Sequence, residues 1–436
     1  FIFVARIVGV ENTGVYFFAI SFTTIFTVVA DFGMGPVFTR EASRFPDRTN
    51  SYFNTVFWSK ILFGLFAYLL VVLFANILKY PETTKLLIYI SGITMFFDTL
   101  ATAFNSIFRA KKNLIYESIG VIISQSTTLL IGTFALLNHW PLVWLILAYT
   151  IPSFINLIYI SGFLKKVYGV AVRFAWNAEV FKIFFITALP FALAGIIGRL
   201  YSYSDSLLMS KMLTAKELGW WSVPYKITFA FQFIPVALSA SVYPVFSSLF
   251  LTDKSSVGAL FEKSWRYLFA IIFPVSFGLI AIAEPVIKRV FGPEYIPSIV
   301  PLRILLISLI FGFLSFITGA LLNAINKQKT QTSLMALALT VSIILNLILL
   351  PVLKITGAAI SALVSNFILC MVGFYLSTKQ VNINLKNIIK YLNQTLWPAV
   401  IMGVVVYGLS FKIHYLATIV IGGVIYLGLL YYNKVI

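Results

Sequence analysis

The sequence contains little of what a soluble enzyme uses. Its 436 residues include one cysteine and two histidines, and only 11% of them are charged. A single cysteine excludes a disulfide framework within the chain and a cysteine-based metal site. The histidines, His139 and His414, lie in short connections far apart, and the sequence has neither a GxxxxGK[ST] loop nor an HExxH motif. We therefore expect no catalytic residues, no metal site and no ATP-driven transport by this chain alone.

Apolar residues dominate what is present. Hydrophobic residues make up 60% of the chain, and the mean hydropathy is +0.97. Apolar runs of about 20 residues recur along the whole chain, and each is long enough to cross a hydrocarbon core as a helix. The composition therefore predicts an all-α polytopic membrane protein. The opening FIFVARIVG resembles the last turns of a truncated first span. The fourteen predicted spans are 1–8, 14–37, 53–78, 86–108, 116–138, 142–164, 183–211, 219–250, 267–286, 300–324, 331–352, 355–376, 391–411 and 415–432.

The net charge of +18 follows from where the basic residues lie. With the loop after the second span placed in the cytoplasm, 19 of the 32 basic residues fall on the cytoplasmic side, nine on the other side and four within spans. Short cytoplasmic loops of membrane proteins carry such an excess of lysine and arginine. The charge therefore indicates topology, and we expect no nucleic-acid partner.

The chain also contains an internal repeat. The segment VGVENTGVYFFAISFTTIF matches LTAKELGWWSVPYKITFAF 205 residues later, with Gly14 falling on Gly219. The repeat is about six spans long, and because six is even, both copies enter the membrane from the same side. Such parallel repeats are related by a pseudo-two-fold axis along the membrane normal. The predicted domains are a six-helix bundle over 1–175, a second over 176–380 and accessory spans 13 and 14 over 381–436.

Several motifs, taken in order, resemble a known family. They are IVGVENTGVYFF, ADFGMGPVFTREASRF, IFRAKKN, RLYSYSDSLLMSKMLTAKELGWWSVPYKI, FGPEY with PLRIL, LLNAINKQK and KITGAAISALVSNF. Their order and spacing resemble the Wzx-type lipid-linked oligosaccharide flippases, the polysaccharide branch of the multidrug/oligosaccharidyl-lipid/polysaccharide superfamily. The resemblance covers essentially the whole chain.

The resemblance implies an architecture and a function. In this family two six-helix bundles face a central cavity bounded mainly by spans 1, 2, 7 and 8, and the cavity opens alternately to either side. The substrate is a polyprenyl diphosphate that carries an oligosaccharide, moved to the outer leaflet of the plasma (inner) membrane for cell-surface polysaccharide synthesis. Expected partners are the lipid bilayer, a polysaccharide polymerase and glycosyltransferases. A cation-coupled multidrug exporter of the same superfamily is the alternative.

Arg199 is the main candidate for binding the substrate. It lies about 24 Å along span 7 at 1.5 Å per residue, where a charge is costly unless it faces water or a partner. Ser202, Tyr203, Ser206 and Ser210 fall within about 100° of it on the helical wheel and form a polar stripe. A guanidinium on such a stripe can bind a diphosphate through paired hydrogen bonds.

Three acidic residues are candidates for Na⁺ or H⁺ coupling, which stays open. Asp205 lies about 240° from Arg199 on the same wheel, so a regular helix keeps the two from pairing. Asp31 and Asp98, in spans 2 and 4, can either bind a cation or pair with a base. We predict no other cofactor.

The remaining candidates flank the expected cavity. Lys226 in span 8 and Arg40 at the cytoplasmic end of span 2 are candidate phosphate-binding cations, and Tyr225 and Gln232 are candidate sugar-binding groups. The alternatives are a snorkelling lysine, an interfacial anchor and ordinary packing. For Lys60 in span 3 we expect the lysine to extend to the membrane surface.

Overall fold

The computed structural model describes residues 1–170, 172–410 and 413–433. The described residues form helices and connections without a β-strand, and twelve helical segments are long and apolar enough to cross a membrane. This confirms an all-α polytopic membrane protein. The helices are α1 (Ile2–Val8), α2 (Val10–Asp31), α3 (Met34–Arg44), α4 (Thr49–Ile77), α5 (Glu82–Ala110), α6 (Ile115–Leu137), α7 (Val143–Tyr168), α8 (Ala178–Met212), α9 (Ala215–Phe231), α10 (Phe233–Thr252), α11 (Lys254–Val286), α12 (Ile299–Ala324), α13 (Gln328–Thr378), α14 (Leu385–Ser410) and α15 (Tyr415–Tyr432).

Helix α13 contains two predicted spans. Its 51 residues would extend about 76 Å as one straight helix, more than twice the thickness of a hydrocarbon core. Lys354 breaks it with φ 51° and ψ −133°, and a Cβ atom on Gly357 would lie 2.6 Å from the carbonyl oxygen of Leu349. The backbone therefore folds back at Lys354, between the spans predicted at 331–352 and 355–376. The total of fourteen spans stays a prediction.

The first compact unit covers Phe3–Ser210. In it α2 packs on α4 and α5, α4 packs on α5, and α7 packs on α5 and α6. Phe184 and Ala188 of α8 lie in the same buried cluster as Phe38 and Phe53, so α8 belongs with this unit by its contacts. The domain boundary predicted after residue 175 therefore stays a prediction.

The second compact unit covers Lys211–Ile436 and repeats several of these helix pairs. Helices α9 and α10 pack on α12, α10 and α12 pack on α11, and α13 packs on α12. Under the 205-residue offset these pairs correspond to contacts among α2, α3, α4, α5 and α7. Helix α14 adds to α11, and α15 adds to α14.

Hydrogen bonds between distant connections agree with the predicted alternation of sides. The Trp220 indole donates to the carbonyl of Glu294 at 2.8 Å, and both lie on the predicted outer side. The Asn384 backbone amide donates to Glu262 at 2.7 Å, and both lie on the predicted cytoplasmic side. Bonds of this length require both partners to lie at the same end of their helices.

Candidate functional site

Helix α8 comes close to α2, and to the break that follows it, at two glycines. Phe32 and Gly33 adopt left-handed backbone conformations between α2 and α3. A Cβ atom on Gly33 would lie 2.9 Å from the Cβ of Phe191, and one on Gly195 would lie 2.8 Å from a methyl group of Val28. Glycine at these positions therefore lets the two helices approach closely. As residue numbers rise along α2 they fall along α8, so the helices run antiparallel.

Arg199 continues the same face of α8 beyond this contact. Ala192, Gly195 and Arg199 follow one another at spacings of three and four residues, which places them on one side of a helix. The register places Arg199 at the level of Thr24, one turn beyond Val28. The Arg199 side chain is exposed, and within the described ranges no hydrogen bond or ion pair reaches its guanidinium. Its position leaves it able to bind an anion.

The predicted polar stripe of α8 is only partly open. Ser202 is exposed and donates to the carbonyl of Gly198 at 3.0 Å, and Tyr203 is half-buried. Ser206 is buried, and its hydroxyl has no hydrogen-bond partner in the part of the chain that the structure describes. Ser210 lies within 2.8 Å of the Tyr80 hydroxyl. The exposed part of the stripe is therefore the turn formed by Arg199 and Ser202, with Tyr203 at its edge.

Asp205 lies apart from Arg199. It is 8% exposed and lies within electrostatic range of Tyr201, one turn earlier on α8. The ion pairs among the described residues include none between Asp205 and Arg199. This separation is what the helical spacing predicts.

The candidates of the second unit lie on α9 and at its end. Lys226 is half-buried. The ring of Tyr225 stacks on Phe229 with centroids 5.8 Å apart and an interplanar angle of 15°. Gln232 joins α9 to α10 with helical dihedral angles. Their roles in substrate binding stay predictions.

Arg40 is held by an acidic neighbour at the end of α3. Its Nε donates to Glu41 at 2.9 Å, and Arg44 lies 3.7 Å from the same carboxylate oxygen. The Arg40 side chain is 45% exposed. It is therefore both paired and accessible at the predicted cytoplasmic mouth.

Asp31 forms an ion pair with Lys60 inside the first unit. The Lys60 ammonium donates to Asp31 at 2.5 Å and to the Thr102 hydroxyl at 2.8 Å. The Lys60 side chain is 0% exposed and that of Asp31 is 31% exposed. The expectation that Lys60 extends to the membrane surface is wrong, because a carboxylate and a hydroxyl at its own depth satisfy the charge. Asp31 remains accessible on its other side.

Asp98 lies near the middle of α5, and its side chain is exposed at the surface of the protein. Ser153 of α7 lies beside its carboxylate. One turn earlier on α5, the Thr94 hydroxyl lies 2.7 Å from that of Thr150. The described residues contain no group of three His, Cys, Asp or Glu side chains placed to hold a metal ion. What Asp98 and its neighbours offer is one carboxylate with hydroxyl groups beside it.

Residues 3–300 match the family described as polysaccharide biosynthesis protein. The chain belongs to this family. The matched segment contains every candidate residue described above, so this polysaccharide biosynthesis protein carries its candidate site inside the part that defines the family.

The names of several relatives agree with the family. The chain is 25% identical to an O-antigen transporter of Shigella flexneri over 82% of this chain and 88% of that protein. It is 22% identical to the low-salt glycan biosynthesis flippase Agl15 of Haloferax volcanii over 39% of this chain. The matches to Agl15 and to the flippase AglR of the same organism span 37% and 35% of those proteins.

The fold also resembles that of solved transporters. The lipid II flippase MurJ, in an inward closed conformation, matches with a TM-score of 0.78 at 19% identity, over 98% of this chain and 94% of that one. An inward-facing multidrug resistance MATE family transporter of the MOP superfamily matches with a TM-score of 0.73 at 16% identity, over 87% of this chain and 92% of that one. At these identities the likeness shows the fold alone. This family member therefore shares the fold of these two transporters.

Sequence reasoning missed the pairing of Asp31 with Lys60, although a signal was present. Asp31 lies six residues before the end of the predicted second span, and Lys60 lies seven residues after the start of the third. Adjacent antiparallel spans place such positions at nearly equal depth. Opposite charges at equal depth in consecutive spans are therefore candidates for a pair.

Proposed function

We propose that this protein is a flippase that moves a polyprenyl-diphosphate-linked oligosaccharide from the cytoplasmic to the outer leaflet of the plasma membrane by alternating access. The family match, the flippase and transporter names of its relatives, and the fold that it shares with the two solved transporters support this proposal. The glycosyltransferases that build the glycan and the polymerase that extends it are the expected partners.

The exposed guanidinium of Arg199 is the observation that carries the proposal. An arginine at membrane depth is costly unless it faces a water-filled cavity or a partner. Arg199 has neither an ion pair nor a hydrogen bond among the described residues, so a lipid-facing position would leave its charge unsatisfied. A planar guanidinium matches two phosphate oxygens at once, and a diphosphate offers a dense negative charge for it to bind.

The test replaces Arg199 by Ala and by Lys. In a strain without its own copy of the gene, Arg199→Ala should abolish surface polysaccharide while the protein stays in the membrane at wild-type abundance. Arg199→Lys should retain part of the export, because it keeps the charge and loses the paired hydrogen bonds. Arg48→Ala is the matched control, since Arg48 is an exposed arginine in the predicted cytoplasmic connection.

Two results would separate the outcomes. Wild-type surface polysaccharide in the Arg199→Ala strain would overturn the assignment of Arg199. Loss of export in the Arg48→Ala strain as well would mean that the loss in Arg199→Ala is not specific to Arg199. Export is confirmed as flipping when purified protein in liposomes moves the lipid-linked glycan to the opposite leaflet.

A cation-coupled exporter is the second candidate, and Asp98 favours it. Asp98 is an exposed carboxylate at the middle of a span, where an acidic group can bind a proton, Na⁺ or a cationic substrate. Under this hypothesis, expression should give cells resistance to lipophilic cations, and Asp98→Asn should remove that resistance. No resistance, together with surface polysaccharide that persists in Asp98→Asn, would exclude this role for Asp98.

A further inference from the structure

A small cavity lies between the outer ends of α11 and α14, in the second unit. Its volume is about 250 Å³, and its polar lining comes from Glu284, Lys288 and Arg289 on one side and from Tyr407 and Ser410 on the other. Pockets for drug-sized ligands are roughly 300 to 1,000 Å³, so this cavity suits a smaller group.

The cavity carries an excess of positive charge. Its lining has one carboxylate and two cations. The Lys288 ammonium lies 2.6 Å from Glu284, so the carboxylate is already neutralised. Arg303 of α12 also lies within electrostatic range of Glu284, and its Nε is buried without a hydrogen-bond partner in the described ranges. The local balance therefore favours an anion.

A rare backbone form places the two cations. Ile287–Phe291 form a single π-helical turn after α11, closed by a bond of 3.1 Å from the Gly292 amide to the Ile287 carbonyl. Turns of this kind occur mostly within α-helices and often at functional sites. Here the turn carries Lys288 and Arg289 at the end of a span, where both line the cavity.

The depth of the cavity points to the membrane interface. The cavity lies at the predicted outer ends of spans 9 and 13, the side on which only nine of the 32 basic residues fall. Adjacent basic residues at that end of a span depart from the usual bias toward the cytoplasm. Tyr407, 49% exposed, lies where an amphipathic ring meets lipid headgroups.

We propose that this cavity binds the phosphate of an anionic phospholipid headgroup in the outer leaflet. Lys288 and Arg289 supply charge-assisted hydrogen bonds to the phosphate oxygens, and the exposed Tyr407 supplies an aromatic wall beside the headgroup. The site is separate from Arg199 and does not depend on the proposed transport activity. Inorganic phosphate shares the same chemistry, and the experiment distinguishes it from a lipid.

The test compares lipid binding by the full chain and by Lys288→Ala/Arg289→Ala. In zwitterionic nanodiscs titrated with phosphatidylglycerol, the wild type should retain one more phosphatidylglycerol by native mass spectrometry than the double variant. The affinity of the variant should be lower by about tenfold, which corresponds to about 1.4 kcal/mol. Lys327→Ala/Lys329→Ala is the matched control, since it removes two exposed basic residues on the predicted cytoplasmic side and should bind like the wild type.

Two further measurements keep the result decisive. Phosphatidylglycerol should raise the melting temperature of the wild type more than that of Lys288→Ala/Arg289→Ala. The single variant Arg289→Lys keeps both positive charges, so phosphatidylglycerol should raise its melting temperature almost as much as that of the wild type. Equal lipid counts and equal thermal shifts for the wild type and the double variant would overturn the proposal. Displacement of the bound lipid by inorganic phosphate alone would overturn the lipid assignment in favour of a free-phosphate site.

Discussion

Replacing Asp31 by Asn should destabilise the first unit more than replacing Lys60 by Met. The reason is the difference in burial of the two partners: the Lys60 side chain is 0% exposed, whereas that of Asp31 is 31% exposed. Asp31→Asn removes the counter-charge and leaves the enclosed ammonium with neutral acceptors, the new amide oxygen and the Thr102 hydroxyl. Removing one member of a buried pair in this way costs about 3 to 5 kcal/mol.

Lys60→Met is the milder change. Methionine keeps most of the apolar stem that lysine buries. The Asp31 carboxylate that is left without a partner remains accessible, because its side chain is 31% exposed. The loss is then that of a hydrogen bond to a charged group, about 1.5 to 3 kcal/mol. The double variant Asp31→Asn/Lys60→Met should be more stable than Asp31→Asn alone, because no unpaired charge remains buried.

The free energy of unfolding in bicelles, measured by steric trapping, tests this order. Glu82→Gln is the control, because Glu82 is 87% exposed and pairs with Lys85 at the surface, where such pairs contribute at most about 1 kcal/mol. Equal losses for Asp31→Asn and Lys60→Met would refute the reasoning from burial. A double variant as unstable as the sum of the two singles would refute the pairing itself.

Three further predictions concern the second unit and its connections. Gly258→Ala should prevent stable folding, because the added Cβ would lie 1.8 Å from a backbone oxygen, whereas Gly162→Ala, inside α7, meets nothing within 4 Å and should leave the melting temperature unchanged or slightly higher. Thr214→Ala should lower the free energy of unfolding by about 0.5 to 2 kcal/mol, because it removes the capping box with Glu217 at the start of α9. Glu217→Gln should make the outer bend of α13 more accessible to protease, because Glu217 binds Lys354 there at 2.9 Å, and unchanged cleavage would contradict it.

The sequence predicts the helices well because length and hydropathy determine a span. The bend of α13 shows this: Pro351 and the polar Lys354 separate two apolar runs, and the structure turns back at Lys354. Which side chains of a span are buried is harder to predict. Ser206 lies on the same helical wheel arc as Arg199, yet it is buried while Arg199 is exposed. A wheel gives the direction of a side chain but not which neighbour covers it at each depth.

The two intramembrane cations of the first unit show how burial separates structural from functional charge. Lys60 is enclosed, and its charge is balanced by a carboxylate at 2.5 Å, so its contribution is to hold α4 and α5 beside the end of α2. Arg199 is exposed and has no such partner among the described residues, so the protein leaves its charge for something else to balance. An anionic substrate balances an exposed guanidinium, whereas a cationic drug would be repelled by it. The charge at Arg199 thus supports the proposed flippase, whereas the exposed carboxylate of Asp98 supports the alternative exporter, and the Arg199→Ala and Asp98→Asn variants distinguish the two.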